Sequence, residues 1–251
     1  MNGLPEFLRL PHAPITEAVI DFRVKLPDGF DVAKFAELRT RLEGDYPKWE
    51  EKKLFQLGFK QEGHKEPVQT FNNLGVHGHF FRSADETQVA QFRRDGFTFS
   101  RLKPYTSWDE TFREASRLWG IYVETTNPSE VSRIAVRYIN RILLPLPVAQ
   151  LSDYLTVPPL LPDGVPTDVT SFFTRAVIQD ADTGIAVIVV QALEQLPDGK
   201  HIPLILDIDA YRANLSDEPN EELLSKFEQL RNMKNRFFFG SLTAKSIELF
   251  K

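Results

Sequence analysis

Hydrophobic and polar positions alternate from Ile15 to Leu26. Ala18, Ile20, Phe22, Val24 and Leu26 fall on one face, while Glu17, Asp21, Arg23 and Lys25 fall on the other with Val19 as the exception. A period of two with one polar face predicts a half-buried antiparallel strand. The pattern returns from Val131 to Leu144. There Ile134, Val136, Tyr138, Ile142 and Leu144 share a face with Asn140, opposite Arg133, Arg137 and Arg141. Each run is followed by a helical stretch, three further strand-like runs and a long helix, so the order of periods runs twice.

In the first half, Pro27-Asp28-Gly29 reads as a turn and Asp31 as the N-cap of a helix whose Phe35, Leu38 and Leu42 share a face, with Pro47 as its stop. Leu54–Lys60, Leu74–Ala84 and Gln88–Leu102 read as strands around a polar loop, Gln61–Pro67, and a turn at Ser83–Glu86. Asp95-Gly96 fits either a second hairpin turn or a bulge. Ser107-Trp108-Asp109-Glu110 is a capping box opening a helix to Thr126, with Trp108, Phe112, Ala115, Trp119 and Tyr122 at spacings of three and four.

The second half has room for a short helix in Pro145–Leu155, then a proline-rich loop, Thr156–Thr170. Strands follow at Phe172–Gln179, Ile185–Glu194 and Pro203–Asp209, with turns at Asp182-Thr183-Gly184 and Pro197-Asp198-Gly199. A final helix from Pro219 to Arg236 carries the stripe Leu223, Leu224, Phe227 and Leu230, with Glu221 and Glu222 at its start and Arg231, Lys234 and Arg236 near its end, matching the macrodipole. Residues Leu242–Phe250 read as one more short element. The expected fold is α+β: one large antiparallel sheet backed by helices. It is built from two pseudo-repeated β-α-β-β-β-α units, 1–128 and 129–251, fused into one globular domain.

Composition narrows the chemistry. The 251 residues include no cysteine, which excludes disulfides, thiolate metal sites and cysteine nucleophiles. The formal charge is −5 and neither half is basic, so an extended nucleic-acid footprint is not expected. Met1–Pro14 lacks signal-peptide character and no apolar run approaches the roughly 20 residues of a membrane span, so the expected location is cytoplasmic, away from membranes.

Pro14-Ile15-Thr16-Glu17-Ala18-Val19 resembles the N-terminal P-I-x-E-A-V signature of a sporadically distributed, uncharacterised bacterial protein family of similar length. The resemblance continues at Phe99-Ser100-Arg101-Leu102-Lys103-Pro104-Tyr105 with Trp108, and at Arg137-Tyr138-Ile139-Asn140-Arg141. It implies no catalytic residue. The family's patchy distribution resembles that of genes in accessory or defence-related loci.

Four constellations carry candidate chemistry, each with a structural alternative. Asp207 and Asp209 lie on one strand face, about 7 Å apart, where paired carboxylates at a strand end can hold magnesium against a phosphate; a solvated face explains them as well. His77 and His79 share a strand face and, with a third ligand such as His64, could bind a metal; exposed or core-satisfied histidines are the commoner outcome. Arg133, Arg137 and Arg141 project one way and suit carboxylates or phosphates, or ion pairs with Asp21, Asp207 or Asp209. Arg93, Arg94, Phe97, Phe99, Arg101, Lys103 and Tyr105 interleave base and ring as a nucleic-acid surface does, although alternation also sends Phe97 and Phe99 into a core. No P-loop, Rossmann glycine pattern or nucleophile elbow is present, and no cofactor is expected.

The leading expectation is a noncatalytic binding or regulatory module for a protein partner or a small anionic ligand. Its binding residues are Arg137, Arg141, Asp207, Asp209, Arg101 and Lys103. The alternatives are a metal-dependent enzyme acting on a phosphate-containing substrate, using Asp207 and Asp209 with Arg137, and a nucleic-acid binder.

Overall fold

The computed structural model describes residues 7–60, 68–148, 150–166, 169–194, 199–215 and 220–251, with the side chains at 56–60, 68–72 and 220–221 excepted. The Gln61–Pro67 loop with His64, Pro197-Asp198 and Pro219 lie outside the described residues.

Alternation along β1 (Ile15–Lys25) puts Ala18, Ile20 and Phe22 fully out of water beneath the sheet. Its neighbours are β5 (Gly96–Leu102) on one side and β6 (Glu130–Pro145) on the other, both antiparallel. Outward from β5 lie β4 (Gln88–Arg93), β3 (Val68–Arg82) and β2 (Lys48–Lys60). Outward from β6 lie β9 (His201–Ala213), β8 (Ile185–Leu193) and β7 (Phe172–Asp180). The result is one nine-stranded antiparallel sheet, β2-β3-β4-β5-β1-β6-β9-β8-β7, continuous across both halves of the chain.

Helices cover one face. They are α1 (Lys34–Leu42), α2 (Trp108–Thr126), α3 (Asn220–Ser225), α4 (Phe227–Ser241) and α5 (Ala244–Glu248). The capping box of α2 forms on the Ser107 side, whose Oγ accepts from the Glu110 amide at 3.2 Å. The apolar stripe of α2 lands on β1 and β5: Trp119 stacks on Phe22 with ring centroids 4.0 Å apart, and Tyr122 packs near Phe97. Phe227 of α4 reaches the same cluster, 5.0 Å from Phe22. None of the described helices is long and apolar enough to cross a membrane.

The element order departs from two matching β-α-β-β-β-α units in three places. Gln88–Leu102 is two strands joined by a hairpin turn at Arg94-Asp95, with Gly96 paired to Arg93 as the first residue of β5. Gly96 has φ +151, and a Cβ there would lie 2.0 Å from the Phe22 carbonyl oxygen, so only glycine lets the start of β5 lie this close beside β1. The short helix expected in 145–155 is a single 3-10 turn, Leu151–Asp153, and the final helix is divided into α3 and α4. Asp31 accepts from the Ala33 amide before α1 begins and does not cap the helix itself, which starts at Lys34. The order outward from the β1–β6 pair runs β5, β4, β3, β2 in one half and β9, β8, β7 in the other, four strands against three.

Candidate functional site

The face away from the helices carries the charges. In register, Asp21 of β1 lies beside Thr98 of β5 and Ala135 of β6. Thr98 Oγ1 donates to Asp21 Oδ1, and Arg93 Nη1 donates to Thr98 Oγ1 at 2.6 Å. Arg23 Nε and Arg133 Nη1 reach Asp21 Oδ2 at 3.1 and 3.2 Å, and Arg93 Nη2 reaches Oδ1 at 3.4 Å. Asp21 is thus a buried carboxylate held by three guanidinium groups and a hydroxyl, which is what a charge away from water requires.

The network spreads along both neighbours. Arg93 Nε donates to Asp95 Oδ1 at 2.9 Å, and Asp95 also takes Arg23 and His77 Nε2. Burial raises the Asp95 pKa, but Arg93, Arg23 and His77 outweigh it and hold the carboxyl at about 2. On the other side, Arg133 Nη2 donates to Asp209 Oδ2 at 2.7 Å and its guanidinium lies over the Tyr211 ring. Burial pushes Asp209 above the usual carboxylate range, against the pull of Arg133, and its Oδ1 is buried with no hydrogen-bond partner among the described residues. Gly78 sits in register between Lys52 and Arg93, where a Cβ would meet the Phe92 carbonyl at 2.3 Å. Burial and the nearby Arg93 lower the Lys52 pKa.

These groups wall a trough of about 560 Å3 across β4, β5, β1, β6 and β9, into which Lys52 of β2 also reaches. Five basic and four acidic side chains line it. Its chemistry is that of an ion-pair lattice whose exposed capacity lies at the rim, where the side chains of Arg23 and Arg137 are 41% and 46% exposed.

The residues singled out in the sequence separate into groups. Arg137 and Asp209 line the trough. Arg137 also grips Asp207 with two bonds, Nε at 2.9 Å and Nη2 at 2.6 Å, and that bond is what raises the arginine's pKa. Asp207-Ile208-Asp209 is mid-strand, because alternation continues through buried Ala210 to Ala213. Arg141 lies farther along β6, 3.5 Å from Glu194. Arg101 turns to the helix side, bonded to Thr87 Oγ1 and the Pro104 carbonyl, and Lys103 is exposed beyond the strand. His77 points to Asp95, while His79 is buried against Trp49 and Phe81, where burial lowers its pKa. Among the described residues no cluster of three or more His, Asp or Glu could hold a metal ion. Phe97 and Phe99 lie in the core and Arg93 in the ion network, which leaves no base-and-ring surface along β4 and β5.

Two arrangements go beyond the sequence reading. Asp21 and Arg93 meet only through the β1–β5–β4 register, which no local spacing encodes. Lys234 lies on the helix side, buried, with its Nζ 3.8 Å from the Tyr138 ring centroid and 2.5 Å from Asn235 Oδ1. Burial, with Arg231 adding to it, pushes its pKa down to about 7. Tyr138 and Tyr105 share a hydrogen bond of 2.8 Å beside it. The spacing Leu223, Phe227, Leu230, Lys234 was the available signal: it places this lysine on the apolar stripe. No protein-family model matches the chain, and no curated protein matches it.

Proposed function

We propose that the chain is a noncatalytic binding module that seats a small polar ligand in the trough on the open sheet face. The observation that carries this reading is the trough of about 560 Å3 itself, walled by Arg23, Arg133, Arg137 and Asp209 on the face that no helix covers. The half-exposed Arg137 and Arg23 suit an anionic group on the same ligand. The bases and carboxylates of the lattice are engaged with one another, which favours holding a ligand over transforming it. Arg137 occupies Asp207 and Arg133 occupies Asp209, so a magnesium–phosphate site there would first have to break both pairs. The accessory or defence-related setting implied by the family resemblance belongs to the same proposal.

Thermal melts with inorganic phosphate, nucleoside phosphates, sugar phosphates and free amino acids test it. The expected result is a rise in melting temperature with one class, as binding to the folded state requires, lost in Asp209→Asn and in Arg137→Ala. A response that both variants retain would place the ligand elsewhere. Magnesium-dependent consumption of a phosphate compound would favour an enzyme.

A further inference from the structure

The two edges of the sheet are built differently. Five of the six residues Lys48–Lys53 of β2 are charged, which keeps another strand from adding to that edge. β7 reads Phe-Phe-Thr-Arg-Ala-Val-Ile-Gln-Asp, without proline or lysine and with one charge before its last residue. Every residue from Phe173 to Gln179 is exposed, on both faces of the strand, with Phe173 at 69% and Val177 at 53%. The packing of α4 falls on β6, β8 and β9, so the helix layer leaves β7 uncovered. Half of the exposed large apolar side chains among the described residues lie between Val157 and Ile178, in β7 and the loop leading to it.

We propose that β7 pairs with β7 of a second copy of this chain about a two-fold axis at Val177, joining two sheets into one. The backbone sets the parity. Glu194 N–H donates to the Pro203 carbonyl on β9, so even-numbered β8 residues turn toward β9 and odd-numbered ones toward β7. Their β7 partners are even-numbered, Asp180 with Ile185 and Thr174 with Gln191, and Asp180 accepts from Gly184 inside the hairpin. The amides and carbonyls of Phe173, Arg175, Val177 and Gln179 therefore turn outward, with no partner among the described residues.

Side chains choose the register. An antiparallel two-fold pair keeps the faces of the two sheets aligned, so outward residues pair with outward residues. With Val177 opposite Val177, Arg175 meets Gln179, Thr174 meets Asp180 and Ala176 meets Ile178. Apolar groups then face apolar ones and each donor faces an acceptor. Centring the pair on Ala176 puts Arg175 against Val177 and Thr174 against Ile178; centring it on Ile178 puts Val177 against Gln179 and Ala176 against Asp180. Both mix polar with apolar across the seam. Pairing this edge buries on the order of 1,000 Å2 in total, the low end for a specific interface, which implies a dimer that dissociates on dilution into the micromolar range. The seam does not touch the trough, so the two proposals stand apart.

The test uses the absence of native cysteine. At the two-fold, directly opposite Cα atoms lie about 5.5 Å apart, inside the range a disulfide spans. Val177→Cys should give a reducible covalent dimer on mild oxidation. Arg175→Cys should not, because its copies lie about 13 Å apart along the pair. Sedimentation velocity from about 1 to about 300 µM should show a monomer–dimer equilibrium in the wild-type chain and only monomer in Val177→Lys, which sets like charges face to face. A monomer throughout overturns the proposal and leaves the edge to a strand from another protein. A dimer that survives Val177→Lys, or cross-links equally through residue 175, overturns the β7 register.

Discussion

On β1, Phe22 turns toward the helices and Asp21, one residue earlier, turns up into the trough. Beneath the strand, the rings of Phe22, Phe97, Trp119 and Phe227 interlock. Above it, Asp21 depends on Thr98, Arg23, Arg93 and Arg133. The lower side is stabilised by removing apolar surface from water and by filling volume. The upper side gains little over an apolar packing of the same shape, because each charge must first lose its water. What the upper side has is directed groups and an unpartnered acceptor, which are properties of a binding surface. The two sides are mechanically joined: the Tyr122 hydroxyl, on α2, donates to the Arg93 carbonyl at 2.8 Å.

The strongest test of the lower side is Trp119→Ala. The ring is 1% exposed and touches three other aromatic rings, so its loss removes burial and opens a cavity. Unfolding free energy should fall by about 3–5 kcal/mol in urea titrations. A loss below about 1 kcal/mol would mean that the α2 seat on β1 is not what holds the halves of the core together.

The upper side should answer to pairing instead of volume. Asp21→Leu removes the carboxylate that Arg23, Arg133 and the 4% exposed Arg93 share, leaving Arg93 only Asp95, and should cost about 3 kcal/mol. Adding Arg93→Met should return part of that loss, so the double variant is more stable than the two single losses predict. Strict additivity in the same titrations would show that Asp21 and Arg93 do not act as a unit.

This division explains what the sequence disclosed. The faces of β1 and β6, the stripe of α2 and its Ser107 cap are periodic or local features, and they appear in the chain where the structure has them. The antiparallel sheet backed by helices follows from those periods. Asp21, Thr98, Arg93 and Asp95 become neighbours only when β1, β5 and β4 settle into register, so a reading limited to spacing along one strand set Arg93 among nucleic-acid candidates. Ion pairing of the β6 arginines with Asp207 and Asp209 was legible from the one-sided alternation, but which arginine takes which carboxylate depends on the β6–β9 register. The bridge between Leu155 and Leu242 ties the segment after the 3-10 turn at Leu151–Asp153 to the end of α4, a contact that no local period encodes.

Lys234 breaks the rule that charge stays above the sheet, which makes it the next sharpest probe. It is buried against Tyr138 and Asn235, with its pKa lowered to about 7 by burial and Arg231. Between pH 7 and the ordinary lysine value of 10.5 the unfolded chain holds a proton that the folded chain does not. Wild-type stability should therefore rise with pH across that window, by at most about 1.4 kcal/mol per pH unit from this one group. Lys234→Met keeps the stem and removes the proton site. It should be more stable than wild type at pH 7 and flatter from 7 to 10.5, measured by chemical denaturation at fixed ionic strength. Equal slopes in the two proteins would show that the Tyr138 ring and Asn235 keep Lys234 charged in the fold.

The smallest expected effect belongs to Arg137, at the rim where the upper side meets water. Its two bonds to Asp207 are well made, but its side chain is 46% exposed, so solvent screens the pair. Arg137→Ala should cost no more than about 1 kcal/mol, and 1 M salt should shrink that difference further, because the Debye length there is about 3 Å. Arg137→Lys keeps the charge and loses the two-pronged grip, so it should fall between. If the rim serves binding, these modest stability changes should accompany complete loss of the ligand-induced rise in melting temperature in Arg137→Ala. A cost of several kcal/mol would instead make Arg137 a strut like Arg93, moving the boundary between scaffold and binding surface outward from Asp21 to Asp207.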